Sequence, residues 1–514
     1  MKNFTKLLFT VCLLSYFFSP IQSQEFDGYA LYNAVNVNTT YLIDAEGDIA
    51  KTWSFSRPCN YAVLLKDNGH LVRGAVNAGN SINGPAVGGL IQEFDSNGDL
   101  VWEYVHSNAN QVQHHDIALL PNGNVLITAW DRKTATELDA AGYTGNQNQR
   151  YATHILEIAQ NGSGGEVVWE WNIWDHMIQD VDPNKPNYGV VAEHPELMNI
   201  NVTTSGGGGG GPGGGGGDWF HVNGIHYNAD RDQITFSSRY LSEIFIIDHS
   251  TTTAEAASHE GGNSGKGGDF LYRWGNPANY GGSGERRIDG PVHDARFIPD
   301  DGRPRGGYLM YFSNDGPDGF GSTVDALELP LASDGYNYDM LPAGYWGPED
   351  ATYRHDCINN ANGQSAANSM PNGNQFVNLS GSYMYEVDED GNVVFQYSAD
   401  SQKAFRYTCD HPGIQALTSQ GVIEDMCMTS NTNEVLNTQI KVAPNPSNGL
   451  FQISGLNQGQ QIESIEVFDV LGQNILSTYS TNNIDLSNQA NGIYYLNILL
   501  SDDQWVSKKI SVVK

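Results

Sequence analysis

The sequence predicts an all-β chain: a six-bladed β-propeller followed by a small C-terminal antiparallel β-sandwich. Three observations carry this. The pattern HDIALLPNGN from His115 returns as HDARFIPDDG from His293 and, in outline, as HVNGIHYNAD from His221. Repetition at such distances belongs to architectures in which every unit folds alike. Hairpins of one kind also recur, with YLIDAEGDIAKTWSF from Tyr41, IQEFDSNGDLVWEY from Ile91, HILEIAQNGSGGEVVWEW from His154 and YMYEVDEDGNVVFQY from Tyr383, each reading as two strands about a polar turn. Inner pairs of strands around a second polar turn complete the units, as in LLKDNGHLV from Leu64, LLPNGNVLI from Leu119 and MPNGNQFV from Met370. Four strands per unit is the grammar of a propeller blade. Inner turns at Asn68, Asn122, Asp230, Asp301 and Asn372 give five units, and the hairpin from Tyr383 is counted as the start of the sixth.

From the N-terminus, Lys2 and Lys6 precede an apolar run from Leu7 to Phe18 and then SPIQSQ. This is the layout of an export signal cleaved after Ser23, so residues 1–23 are assigned to a signal peptide and 24–430 to the propeller. The run is too short for a stable membrane anchor, and no other stretch reaches transmembrane length. Loss of the signal removes Cys12 and leaves Cys59, Cys357, Cys409 and Cys427, an even set that permits three pairings in an oxidising compartment. No spacing resembles a CxxC metal site, and neither a metal nor a cofactor is called for. DEDG at Asp388 lacks the ligand spacing of an EF-hand.

Composition excludes some partners. With 39% hydrophobic and 11% aromatic residues the chain can bury a real core, and 26 Lys+Arg against 59 Asp+Glu give a formal charge of −33. Nucleic acid and anionic membrane surfaces both need basic patches, so neither is expected as a partner. The tract from Gly206 to Gly217, all glycine but for Pro212, reads as a flexible loop. It has no Lys-Ser/Thr completion and no strand-loop-helix setting for phosphate cradling.

Past a polar linker at 431–440, short alternating strands fill 441–514: VAPNPSNGLFQISG, IESIEVFDVLGQNIL, NIDLSNQANGIYYLNIL and WVSKKISVVK. They read as the small sandwich. The PNP near the start, FDVLGQ, NGIYYLNI and the basic end KKISVVK resemble the C-terminal sorting domain of type IX secretion substrates. That resemblance implies the type IX machinery as partner, a bacterium of the Bacteroidota group, and an extracellular or surface-attached destination.

The chemistry is expected on the propeller axis. Setting the polar turns in register places His115, His221, His293 and Ser365 seven residues before Asn122, Asn228, Asp300 and Asn372. Strand starts from different blades meet at one mouth of the channel. His114, one position off, should be a neighbour rather than an equivalent, because adjacent strand residues face opposite ways. Arg239, in ITFSSRYLSEIFIID beside the His221 strand, turns three imidazoles into an anion site, since its rigid fork suits a tetrahedral oxyanion. An imidazole so placed can also serve as nucleophile in a two-step transfer.

HHDIALLPNGNVLI, FHVNGIHYNADRDQITFSSR, FIIDHSTTTAEAASH, GGDFLYRWGNP and GPVHDARFIPDDGRPRGGYLMYFSNDG resemble the arylsulfotransferase family, the PAPS-independent aryl-sulfate sulfotransferases. The resemblance implies a sulfuryl group passed from an aryl sulfate to a phenol through a sulfohistidine. His293 of GPVHDARF is then the nucleophile. His115, His221, Asn223 and Arg239 are the sulfuryl-oxygen donors, and Ser365, by register, stands where family members carry a hydroxyl on the fifth blade. Asp294 could orient its neighbours, although strand alternation is equally consistent with an inward His and an outward Asp. No donor from the sixth blade is identifiable. Two other readings remain open, a non-catalytic binder of sulfated glycans and a surface adhesion module. A quinone-dependent dehydrogenase lacks the metal-holding carboxylates it would need.

Overall fold

The structure, a computed structural model, describes residues 28–426 and 440–514 except 35–36, 78, 83, 147, 205–216, 318–320, 362, 425, 457–459, 470–473 and 502–504. The expected signal peptide, nearly all of the glycine tract and most of the linker lie outside these residues.

Between Gly28 and Thr408 the chain forms six four-stranded antiparallel sheets among the described residues. Five are built in chain order, each starting from its inner strand: Cys59–Leu65, Gln111–Leu119, Val222–Asn228, Val292–Phe297 and Ala366–Ser369. These are called the first to fifth sheets below. In the closing sheet the order is Ser401–Thr408, Gly28–Ala34, Thr39–Ile43, Ile49–Ser54. Its inner strand comes from the end of the domain and pairs with the first strand, from Gly28↔Thr408 to Ala34↔Ser401. The inner strands touch one another successively around a closed ring, which is how a propeller protects its edges.

One count made from sequence changes its basis. The hairpin from Tyr383 pairs through Gln375–Leu379 with Ala366–Ser369, the strand that ends at the Asn372 turn, so it is the outer half of the fifth sheet. The sixth sheet is instead the joint between the two ends of the domain. Its inner strand is followed by the helix Pro412–Ser419 rather than by a polar turn, so the turn register could not find it.

Burial follows position in the sheet. Gln111–Leu119 is buried from Val112 to Ala118 because neighbouring inner strands cover both faces, whereas the outer strand Leu100–Val105 buries only Trp102. Between sheets the core is aromatic, with Trp171, Phe236, Phe245 and Phe270 in one cluster. Cys59 and Cys357 are free thiols and Cys409 is disulfide-bonded. No helix of the described residues is long and apolar enough to cross a membrane.

The C-terminal domain has two antiparallel sheets, one of three strands (Lys441–Ala443, Leu450–Ser454, Asn483–Asp485) and one of four (Asn474–Tyr479, Ile462–Phe468, Gly492–Leu500, Trp505–Val512). Alternation along each strand sends Ile465, Val467, Leu496, Ile498 and Ile510 into one shared core.

Candidate active site on the propeller axis

The site is made where the inner strands break their own regularity. Pairing register shifts between Cys59 and Val63, Gln113 and Ile117, Val222 and Gly224, and His293 and Arg296. At or beside these bulges His115, His221 and Asp294 take φ of 49°, 50° and 53°, and Ser365 takes 86° at the start of the fifth inner strand. A non-glycine residue held there costs roughly 1–3 kcal/mol, a strain that persists only where the surroundings enforce it. A bulge also re-aims side chains. Alternation would have turned Asp294 away from His293, but both reach neighbouring inner strands, as do His115 and Asp116.

The three histidines come together. The rings of His115 and His221 meet at 4.7 Å between centroids, nearly edge to face, and all three are buried, 2–5% exposed. His221 Nδ1 lies 2.6 Å from Asp218 Oδ2, and His115 Nδ1 lies 2.8 Å from His114 Nδ1. His114 is the neighbour that its offset predicted, stacked on Trp130 at 4.2 Å. His293 Nε2 accepts the Gln364 N–H at 3.1 Å, so in the neutral ring the lone pair is on Nε2 and the proton on Nδ1. Burial holds the His293 pKa well below 6.5, and the charges of His221, Arg239 and Lys403 push it the same way. His115 is lowered likewise by burial and by His221, His114, His293 and Lys403. Both are therefore neutral bases at pH 7.

Arg239 is half-buried, its backbone N–H donating to the His221 carbonyl at 3.0 Å. No carboxylate among the described residues pairs with it; its guanidinium lies 5.9 Å from the Tyr240 ring. A guanidinium in this position is chemically able to receive an anion.

Directly behind the histidines sits an ion cluster that sequence reasoning missed. Lys403, on the closing inner strand, places Nζ 2.6 Å from Asp116 Oδ2 and 2.8 Å from Asp294 Oδ1. Arg296 completes it at 2.8 Å from Asp294. Burial works against ionisation of Asp294, yet Arg296 and Lys403 hold its pKa below the usual value. Burial raises that of Asp116, and the nearby Asp294 adds to the rise. On the turn side of the cluster a cavity of about 360 Å³ opens, lined by residues of all six inner strands, among them Leu64, Ile117, His226, Phe297, Asn368 and Phe405.

The same positions bind sheet to sheet. Asn60 Nδ2 donates to the His115 carbonyl at 3.0 Å, Asp116 accepts from Ile225 N–H at 3.2 Å, Asn223 Nδ2 donates to the Val292 carbonyl at 2.9 Å, and Asp294 accepts from Ala367 N–H at 3.0 Å. Asn223 is thus engaged at both ends of its amide, its Oδ1 accepting from Ser237 Oγ at 2.7 Å. The Ser365 hydroxyl, fully buried, donates to the Gly363 carbonyl and accepts from Ser380 N–H.

Tyr61 was also missed, although it stands seven residues before Asn68 and so occupies the register position of the first sheet. Its ring is 5.4 Å from that of His115, and its buried hydroxyl has no partner among the described residues. Lys403 carried no such signal, because its strand has no turn to count from.

Comparison with known proteins gives the family. No curated protein matches the chain. Among solved structures it is similar to a protein of unknown function from Bacteroides caccae (12% identity, TM-score 0.39, 74% of this chain and 98% of that one). It is also similar to a putative 6-phosphogluconolactonase from Bacteroides fragilis (9%, 0.38, 74% and 98%) and to the Dos1 propeller (9%, 0.32, 95% and 93%). Likenesses of this order carry no argument about activity. The secretion system C-terminal sorting domain matches residues 441–513, which marks the chain for export to the surface or the medium. The arylsulfotransferase (ASST) model matches residues 21–340, a span that contains His115, His221, Asn223, Arg239 and His293, and the chain belongs to that family.

Proposed function

We propose that this protein moves a sulfuryl group from an aryl sulfate to a phenol through a sulfohistidine on His293. The observation that carries the reading is the meeting of three buried histidines from equivalent strand positions with an arginine that no carboxylate neutralises. Because His293 is neutral, its Nε2 lone pair attacks sulfur when the donor displaces the Gln364 amide from it. The S–O bond to the aryl group breaks, and the aryl oxide leaves with the electron pair and takes up a proton. The phenol oxygen then attacks sulfur, loses its proton and restores the imidazole. In both steps negative charge spreads over the sulfuryl oxygens, where Arg239, His115 and, with a proton on both ring nitrogens beside Asp218, His221 act as positioned donors. Asn223 and Ser365 hold strands in place, since their polar atoms are engaged by the fold. The tail delivers the enzyme through the type IX machinery of a Bacteroidota cell.

A second reading, binding of a sulfated glycan without turnover, draws on the same engagement of Asn223 and Ser365, which leaves fewer donors for a transition state. A module for adhesion alone gives no reason to gather three imidazoles beside a guanidinium that no carboxylate neutralises. The test is release of nitrophenol from p-nitrophenyl sulfate in the presence of a phenol, with mass-spectrometric detection of sulfated His293. The His293→Ala variant is expected to lose at least ~10³-fold in rate. Activity that survives this change rejects the nucleophile, and stoichiometric binding of sulfated oligosaccharide without any label supports the second reading.

A further inference from the structure

Away from the axis, one more group of ligating side chains converges. His176 ends the 3-10 turn Ile173–His176, His259 lies in the loop after the helix Thr253–Ala256, and Asp269 precedes the strand Tyr272–Trp274. One ligating atom from each lies within 4.8 Å of the other two. Asp269 Oδ1 is 2.8 Å from His176 Nδ1 and 2.7 Å from His259 Nδ1. Two of the three are fixed in advance: His176 is fully buried and Asp269 is 6% exposed, while the His259 side chain is 58% exposed and opens the cluster to solvent.

Donor accounting shows what the cluster lacks. His176 Nε2 lies 2.8 Å from the Ala256 carbonyl oxygen. That oxygen can only accept, so Nε2 carries the ring proton. The lone pair of a neutral His176 is then on Nδ1, aimed at a carboxylate oxygen 2.8 Å away. Two acceptors face each other at that distance only when a proton or a metal ion joins them, and the nearby His259 nitrogen makes the same demand of Asp269. A backbone carbonyl holding the outer nitrogen of a histidine, with the inner nitrogen beside a carboxylate, is the usual second layer around a metal ligand. Donors about 2.1 Å from one ion at tetrahedral or square angles are about 3.0–3.4 Å apart, so the two His–Asp distances need to lengthen by about 0.2–0.7 Å.

The surroundings hold the pose. Trp171 stacks on His176 with 5.6 Å between centroids and 9° between planes, and its Nε1 donates to the Gly268 carbonyl at 2.7 Å. A Cβ on Gly268 would come within 2.6 Å of His176 Nε2, so glycine there lets the loop approach the ring.

We propose that His176, His259 and Asp269 form a binding site for a divalent cation of the zinc class, with the remaining coordination position open to solvent beside His259. Two imidazoles and one carboxylate suit that class better than calcium or magnesium, which favour oxygen donors. The ion ties the segment after the second sheet to the loop between the third and fourth strands of the third sheet. No short motif announces it, because its ligands meet only through the fold.

The test uses the full secreted chain without a polyhistidine tag, stripped with chelator and titrated with Zn²⁺ by calorimetry, with Co²⁺ spectra as a second readout. Wild type is expected to bind one equivalent at this site, to gain thermal stability from it, and to give visible cobalt bands. His259→Ala, a surface change that leaves the fold intact, is expected to bind at least tenfold more weakly and to lose the thermal gain. His293→Ala is expected to bind as wild type does, separating this site from the axial histidines. The proposal is overturned if wild type binds no stoichiometric Zn²⁺ or if His259→Ala binds it as tightly as wild type.

Discussion

The two domains bury different things. Among the described residues of the C-terminal domain Ser447 is the single buried polar side chain, and an aliphatic core does the rest. The propeller buries whole charges: Lys403 with Asp116 and Asp294, Arg273 with Glu243, and Arg406 with Glu386. Apolar burial is sufficient to make a stable sandwich, and buried charges are poor stabilisers against well-packed hydrophobes. Arg273 and Glu243 belong to the outer strands of the third sheet, but the Lys403 cluster stands on the axis, and there it points to a task other than stability. In the propeller that axis carries the histidines, and the ion cluster fixes the strands that present them.

The comparison breaks most visibly at Lys403. Its replacement by methionine leaves Asp116 and Asp294 facing each other in a buried site, and the propeller is expected to lose about 3–5 kcal/mol in urea unfolding. The triple change Lys403→Met, Asp116→Asn, Asp294→Asn should recover part of that loss. No recovery would show that the lysine supports the fold by packing rather than by charge.

Arg239 separates function from stability. Its guanidinium lacks a carboxylate partner and its charge opposes only the protonation of a His293 that is already neutral, so Arg239→Ala should leave the melting temperature unchanged. Transfer should fall by about 10²–10³, the usual loss for one oxyanion donor. A variant that instead loses stability and keeps its rate assigns the arginine to the structure.

How much of this was legible in the sequence depends on periodicity. Wherever an inner strand leads into a polar turn, counting back seven residues found the axial position, as for His115, His221 and His293, and the same count reaches Tyr61. The register failed at Lys403, since the closing strand borrows its partners from the other end of the domain and has no turn of its own. It left Asp294 open between two orientations, because strand alternation alone cannot register the bulge that adds a residue there. The engagement of Asn223 and Ser365 depends on partners such as Val292 and Ser380, which only the packed fold supplies.

In the C-terminal domain the matching experiment is Ile465→Ala. This fully buried residue of the sandwich core should destabilise the domain by about 2–4 kcal/mol without changing sulfuryl transfer. A fall in rate would tie the tail to the site.

The gentlest probe is pH, because all 14 histidines lie before residue 412 and none is in the C-terminal domain. Burial, helped by His154, lowers the pKa of His106 to about 4. Burial lowers His114 and His226 to about 3, with the neighbouring charges of His221 and Arg296 adding to it. Below pH 6.5 the unfolded chain takes up protons that the folded propeller refuses, so these groups stabilise the fold above 6.5 and lose that contribution as pH falls. Between pH 7 and 6 the loss is about 0.7 kcal/mol per group, or about 2 kcal/mol for the three. His249 runs the other way. Burial opposes its charge, but Asp232 at 2.6 Å and Glu157 at 3.1 Å raise its pKa to about 9, so its contribution is complete below 6.5 and fades as pH climbs through 9. Propeller unfolding followed by tryptophan fluorescence should therefore show a maximum near neutrality, whereas the C-terminal domain should unfold at the same urea concentration from pH 6 to 8. His226→Phe should flatten the acid side of the propeller curve by about one group's share, and an unchanged slope would show that its imidazole takes up protons alike in the folded and unfolded protein.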